Sequence, residues 1–324
     1  MIARTSLDRW ILDKHGLDTS NRQAVRAYQL DRIRDLLGFA RENSRLYGLL
    51  YQGLELPSSL QEFSYYPFTS ARDLAERETD FLCVHPSEIA RIVTLQTTGT
   101  TRLPKRVYFT REDIELTLDF FYHGMQTLCG AGDRALILFP WRTPDSVGAL
   151  LKTALEKLGL TVFCSEPDHA EEVFSKTPID VVCGPASWVI QAADLNPSYS
   201  VGAVLTSSEV LYGDMRSRLM SRWGALVFDH YGMTETGLGG AVECQAHAGM
   251  HIRENDLLFE VIDADGRLLH SGSEGELVVT TLTRKGMPFI RYRTGDRGVI
   301  TEEVCPCGSS IPRIQWIRRI PVSF

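Results

Sequence analysis

The sequence predicts an α/β fold in three stretches. A helical N-terminal region covers residues 1–90, a mainly parallel β-sheet core covered by helices covers 91–250, and a smaller β-rich lobe covers 251–324. Three observations carry this reading. Apolar residues recur at helical spacing near the start, short β-branched runs alternate with helical segments in the middle, and closely spaced strands without helices follow residue 250.

In the first stretch Leu30, Ile33, Leu37 and Ala40 mark one helix face, with Arg and Asp between them. An aromatic-rich segment, 63–68, leads on to Ser70 and Asp73, an acidic variant of the capping box that starts a short helix. Large rings mostly serve burial, so core packing is the expected role of these aromatics.

From residue 91, RIVTLQ enters a Thr/Gly loop, and RVYF leads to Thr110 with Asp113 three residues on, a second capping box. RALILF, TVFCS, IDVVCG, VGAVLT and ALVFDH read as buried strands, with VGALLKTALEKLGL and GDMRSRLMSRWG as helices between them. Such alternation predicts an open sheet covered on both faces. In the third stretch Asp265-Gly266 separates two alternating runs as a hairpin turn does, and GELVVTTL, FIRYR and GVIT are further strands.

Composition narrows the function classes. The 324 residues are 44% hydrophobic and 23% charged, with a formal net charge of −7, which disfavours a nucleic-acid-binding surface. No apolar run approaches the ~20 residues that span a bilayer. The N-terminus carries charges throughout and lacks an apolar signal core, so a cytoplasmic protein is expected. Seven cysteines in a chain of this length do not form a disulfide framework; Cys83, Cys129, Cys164 and Cys183 sit in apolar contexts as free thiols.

Three segments carry chemistry. TTGTTRLPK, residues 97–105, offers backbone N–H and hydroxyl donors that can approach an anion closely, with Lys105 as a point charge. It is not a Walker A loop, and taken alone such a Thr/Gly loop is more often a plain strand–helix connection. DHYGMTETG, 229–237, lies where a core strand ends, the place where ligands collect in open parallel sheets. A Tyr there can stack on a base and a Glu can hold magnesium, whereas the plainer reading is a polar turn. RYRTGD, 291–296, presents a carboxylate beside a Gly, suited to ribose hydroxyls and equally to a structural turn.

In this order, TTGTT…PK, YGMTE and RYRTGD resemble the motif series of the adenylate-forming superfamily. PFTSARDL, HPSEIARI and GELVVTTLTRKGMPFIRYRTGD resemble its phenylacetate–CoA ligase and coenzyme F390 synthetase branch, from about residue 25 to 318. The resemblance implies the large N-terminal domain of that fold and an ATP-dependent activation of a carboxylic acid, aryl acids included, to an acyl-adenylate. It also implies roles. Thr97, Thr98, Gly99, Thr100, Thr101 and Lys105 would hold the β- and γ-phosphates. Tyr231, followed by Gly232, would stack on adenine, with Ser208, Glu209 and Asp229 near its edge. Thr234 would contact the α-phosphate, Glu235 would ligate Mg2+, and Asp296 would bind the ribose. Catalysis would rest on positioning and charge neutralisation.

A metal site is also expected. Cys305 and Cys307, one residue apart before Gly308, resemble half of a zinc knuckle that Cys244 and His251 would complete as a structural Zn2+ site; His247 is the alternative ligand. The branch often shows a similar pattern, and two unrelated thiol pairs are the plainer reading. The remaining histidines have no partner visible in sequence, and His230 is set apart because its neighbours line the expected nucleotide site.

Two departures qualify the resemblance. Arg102 stands where the family usually has a second glycine in the phosphate loop. The chain ends PRIQWIRRIPVSF, so the family's mobile C-terminal domain, with its hinge acid and catalytic Lys, is expected to be absent. The acyl group would then pass to CoA, an acyl carrier protein or a separate C-terminal domain. AMP transfer to a hydroxyl and a nucleotide- or partner-binding protein without catalysis are the other readings, and a homodimer is compatible with each. Phe139, Trp141, Trp188 and Tyr212 are candidates for an aromatic acid pocket or for core packing.

Overall fold

A computed structural model describes residues 2–95 and 104–320. The N-terminal region consists of α1 (Ser6–His15), α2 (Arg22–Asn43), α3 (Arg45–Leu50), α4 (Leu60–Phe63) and α5 (Ala71–Arg77). Thr5 caps α1, and Gly16, in left-handed backbone (φ 66), ends it. The 22 residues of α2 bury Val25, Gln29, Ile33, Leu36, Leu37 and Ala40. Leu30, expected on that face, is only half-buried, because the stripe turns toward Leu36. Both capping boxes form, Ser70 with Asp73 and Thr110 with Asp113, each satisfying two backbone donors that the helix itself cannot pair.

The chain then runs through β1 (Ile89–Leu95), β2 (Lys105–Thr110), α6 (Arg111–Met125), β3 (Arg134–Ile137), α7 (Val147–Leu158), β4 (Thr161–Cys164) and α8 (Glu171–Phe174). It continues through β5 (Val181–Pro185), α9 (Ala186–Leu195), β6 (Ala203–Ser207), α10 (Gly213–Trp223) and β7 (Leu226–Tyr231). The last strands are β8 (Ala241–Glu243), β9 (Met250–Ile252), β10 (Leu257–Ile262), β11 (Glu274–Thr281), β12 (Tyr292–Thr301) and β13 (Arg313–Arg319).

Eleven strands form one sheet in the order β10-β11-β12-β13-β9-β8-β7-β6-β5-β3-β4. The half from β4 to β7 is parallel, and every pairing from β7 to β10 is antiparallel. The change of sense follows from connection length, since parallel neighbours need a helical crossover and antiparallel ones need only a turn. The β-rich stretch thus continues the core sheet through β8 and β9.

The first two strands depart from the parallel pattern and pair as a separate antiparallel ribbon. Strand β1 alternates between half-buried and exposed positions, as a one-sided strand does. On β3, Leu136 belongs to a core shared with α9 and α10, whereas Ala135 and Ile137 belong to the larger core under α1, α2 and α6, so both faces of the parallel half are covered. Among the described residues no helix is long and apolar enough to cross a membrane.

The N-terminal region is fastened to the sheet at Arg291, just before β12. Its side chain is 1% exposed, its guanidinium meets Glu260 at 3.0 and 3.1 Å, and it donates to the Tyr66 carbonyl. It also stacks over Phe68, 4.1 Å from the ring centre. Beside it Thr69 bridges to Tyr292, so the aromatic segment predicted for burial becomes a strap on β12. Burial pushes the Glu260 carboxyl up, against the pull of Arg291. Replacing Arg291 by Met strands that carboxylate. Unfolding in urea is expected to show a loss of about 3–5 kcal/mol; a change under about 1 kcal/mol would remove the ion pair from this role.

Candidate active site

The ends of the parallel strands bring the second and third sequence segments together. Strand β7 ends at Tyr231, and residues 234–236 form a single 3-10 turn closed by Gly237 in left-handed backbone (φ 73). The turn carries Glu235 inward, leaving it 1% exposed. A carboxylate at that depth needs partners, and two reach its Oε1: Lys105 Nζ from the first residue of β2 at 2.9 Å, and the Tyr292 hydroxyl from β12 at 2.9 Å. Burial first, and then the charge of Glu235, push the Tyr292 phenol well above its ordinary value, so it stays a donor.

Beside this group the Tyr231 hydroxyl donates to Asp296 Oδ2 at 2.9 Å, and Arg319 Nη1 donates to Asp296 Oδ1 at 2.9 Å. The Asp296 backbone N–H is held by Thr294 Oγ1 at 3.0 Å. Gly232 has no space for a side chain, because a Cβ there would lie 2.5 Å from the Leu238 carbonyl oxygen.

Thr97, Thr98, Gly99, Thr100, Thr101 and Arg102 lie outside the described residues. Ser208 takes left-handed backbone (φ 70) just beyond β6. Glu209 turns toward the start of α9, accepting from the Ser187 N–H and hydroxyl at 2.8 Å each. Asp229 points behind the strand ends, accepting from Thr206 Oγ1 at 3.2 Å and facing Glu243. Of the aromatic candidates, Phe139 is in the larger core, Trp188 packs on the core of the opposite sheet face, and Tyr212 is 59% exposed. They do not share one wall.

Sequence reasoning missed the two buried arginines behind the turn. Arg284 donates to the carbonyls of Glu235 at 3.2 Å and Tyr108 at 2.8 Å, with Phe109 against its face at 4.2 Å. Arg253 donates to the Thr236 carbonyl at 3.3 Å and stacks on Phe120. These clamps join residues about fifty and seventeen positions apart, and no local spacing announces them.

A second cluster forms at the end of β8, in the middle of β9 and in the loop between β12 and β13. Cys244, His251, Cys305 and Cys307 are all buried, and their ligand atoms lie within 4.8 Å of one another. Cys244 Sγ is 3.8 Å from Cys305 Sγ, and Cys307 Sγ is 3.7 Å from His251 Nε2. His247 lies elsewhere, against Glu243 and the Phe228 ring. His251 Nδ1 is buried with no hydrogen-bond partner among the described residues. Three thiols and one imidazole fit a closed tetrahedral zinc site by donor type and number.

Residues 83–283 match the family of AMP-binding enzymes. A phenylacetate-coenzyme A ligase of Aromatoleum evansii is 30% identical, with the match covering 94% of this chain and 72% of that protein. Phenylacetate-coenzyme A ligases of Thermus thermophilus and Escherichia coli are 28% and 26% identical, over 92% and 91% of this chain and 71% and 70% of their own lengths. Among solved structures, a 2-hydroxyisobutyryl-CoA ligase in complex with 2-HIB-AMP and CoA superposes with a TM-score of 0.82 at 22% identity, covering 92% of this chain and 69% of that one. A long-chain-fatty-acid-CoA ligase from Archaeoglobus fulgidus gives 0.54 at 18%, over 74% and 53%. At these identities the superpositions speak for the fold.

Burial and the neighbouring charge of Glu243 push the Asp229 carboxyl up to about 7. Unfolded, it titrates near its ordinary value of about 4, so the folded chain holds a proton between those values that the unfolded chain releases. Its contribution to stability is complete below the unfolded value and is lost as pH rises through about 7. Asp229→Asn, permanently neutral, is expected to gain on the wild type between about pH 5 and 8, by at most about 1.4 kcal/mol per pH unit. Urea unfolding at a series of pH values checks this; a difference independent of pH would reject it.

Proposed function

The chain belongs to the family of AMP-binding enzymes and is an adenylate-forming ligase of the phenylacetate–CoA ligase type; on that premise we propose that it activates a carboxylic acid, aryl acids included, with ATP and passes the acyl group to CoA. One observation carries the reading at the level of residues. Lys105, Glu235 and Tyr292 converge on one buried point, beside the linked pair Tyr231 and Asp296, at the mouth of the parallel strands.

Each group then has a task. The ring of Tyr231 offers the adenine a flat face, with Ser208 near its edge, and Asp296 accepts from the ribose hydroxyls. Lys105 exchanges Glu235 for the phosphates, together with the donors of residues 97–101. Glu235, so released, suits magnesium by charge and by burial beside a remaining donor. Magnesium held there supplies positive charge to the phosphate oxygens. Thr234, half-buried on the same turn, donates to the α-phosphate. A substrate carboxylate oxygen attacks the α-phosphorus as the bond to the bridging oxygen breaks and pyrophosphate leaves. No proton need move in this step, so the residues act by position and charge. Arg284 holds the Glu235 carbonyl and therefore the turn on which this alignment depends. The thiol–imidazole cluster we assign to structural zinc, since four protein ligands leave no open position for chemistry.

Acid-dependent pyrophosphate exchange tests the reaction. Glu235→Gln keeps the shape and removes the charge; exchange is expected to fall by about a hundredfold or more while the circular dichroism spectrum stays the same. Unchanged exchange would remove Glu235 from the metal. AMP transfer without any acid, or ATP binding with neither activity, would replace the acid-activating reading. Elemental analysis of the purified chain is expected to give about one equivalent of zinc, with Cys305→Ser lowering both zinc content and melting temperature. Less than about half an equivalent of tightly held metal would reject the zinc site.

A further inference from the structure

His230 is a half-buried titratable group that takes no part in the proposed adenylation. It sits between Asp229 and Tyr231 at the end of β7. One ring nitrogen is engaged, Nδ1 lying 2.8 Å from Ser207 Oγ at the end of β6. The other, Nε2, is buried with no hydrogen-bond partner among the described residues. Its surroundings are apolar. The ring centres of Phe120 and Phe121 on α6 are 5.9 and 6.5 Å away. The Cε1 edge lies against Gly232, where an added Cβ would stand 2.7 Å from it, so the imidazole abuts the segment that carries Tyr231 and Glu235. Burial, and then Arg253, depress its pKa to about 4, so the ring is neutral near pH 7.

A buried polar atom without a partner calls for one, and a neutral imidazole in a phenyl-lined wall offers a single directional hydrogen bond. Arg253 and Arg284 are engaged with the backbone carbonyls of Thr236 and Glu235. We propose that His230 is a specificity-determining residue whose Nε2 binds a hydroxyl group on the acid substrate, so that the enzyme prefers a hydroxyl-bearing acid to its hydrocarbon parent. A hydroxyl both donates and accepts, and so meets either tautomer that Ser207 selects. The phenyl rings beside it favour an aromatic body for that acid. This inference rests on the acid-activating reading and adds the substrate class to it.

Pyrophosphate exchange with matched acids tests it: phenylacetate against its ring-hydroxylated forms, benzoate against hydroxybenzoates, and isobutyrate against 2-hydroxyisobutyrate. The wild type is expected to favour at least one hydroxy acid over its parent by about tenfold or more. His230→Phe should bring that ratio to near unity, and His230→Gln, which keeps a polar group, should retain part of it. A second readout does not need turnover. In protein labelled with 15N at the histidine rings, the His230 signal, identified by its loss in His230→Phe, should move on adding the hydroxy acid and not its parent. Equal exchange with every pair in the wild type, a ratio unchanged in His230→Phe, or a signal unmoved by every acid would overturn the inference. Absence of exchange with all acids would overturn the acid-activating reading instead, and the His230 signal then decides the hydroxyl contact by itself.

Discussion

A carboxylate withdrawn from water as far as Glu235 needs hydrogen-bonding partners, and that need organises the centre of this structure. Lys105 answers it from β2 and Tyr292 from β12. Satisfying one buried charge therefore sets the start of β2, the turn after β7 and the start of β12 at a common point. The same arrangement is chemically poised, since a cation and a polyanion together can take over both charges of the Lys105–Glu235 pair.

The surroundings hold that point still by hydrogen bonds to backbone. Arg284 grips the Glu235 and Tyr108 carbonyls, so the turn and β2 are tied by one rigid fork. Arg253 does the same for Thr236, and Arg291 with Glu260 fastens the aromatic strap to the beginning of β12. All three guanidiniums are nearly inaccessible to water, where a hydrogen-bonded charge is least screened. The Arg319–Asp296 contact differs in kind. The Arg319 side chain is 65% exposed, so it orients Asp296 more than it stabilises the fold.

The cysteine–histidine cluster has a comparable geometric effect on the other side of β7. It gathers the end of β8, the middle of β9 and the loop between β12 and β13 where the sheet has turned antiparallel. The four side chains lie on segments joined by few backbone hydrogen bonds, and a shared ligand there would close the sheet much as a disulfide closes a loop. His230 lies on β7, which pairs with β8 at the point where the sheet changes sense.

What the sequence by itself determined was local. Ser70 with Asp73 and Thr110 with Asp113 were legible because a capping box is complete within four residues. The strands of the parallel half and the helices between them were legible because burial on both faces leaves a continuous apolar run. The motifs around Tyr231, Glu235 and Asp296 were legible as a series whose order resembles a family. Only the tertiary structure decided the rest. It turned Glu209 to Ser187 and Asp229 to Thr206, chose His251 over His247 beside the thiols, and set β1 and β2 apart as a ribbon. It also recruited Arg284, Arg253 and Tyr292 from positions that no periodicity marks. The physical reason is common to all of these. A buried charge or donor is satisfied by whichever group the packed chain brings within about 3 Å, and that distance depends on the whole sheet rather than on neighbours in sequence.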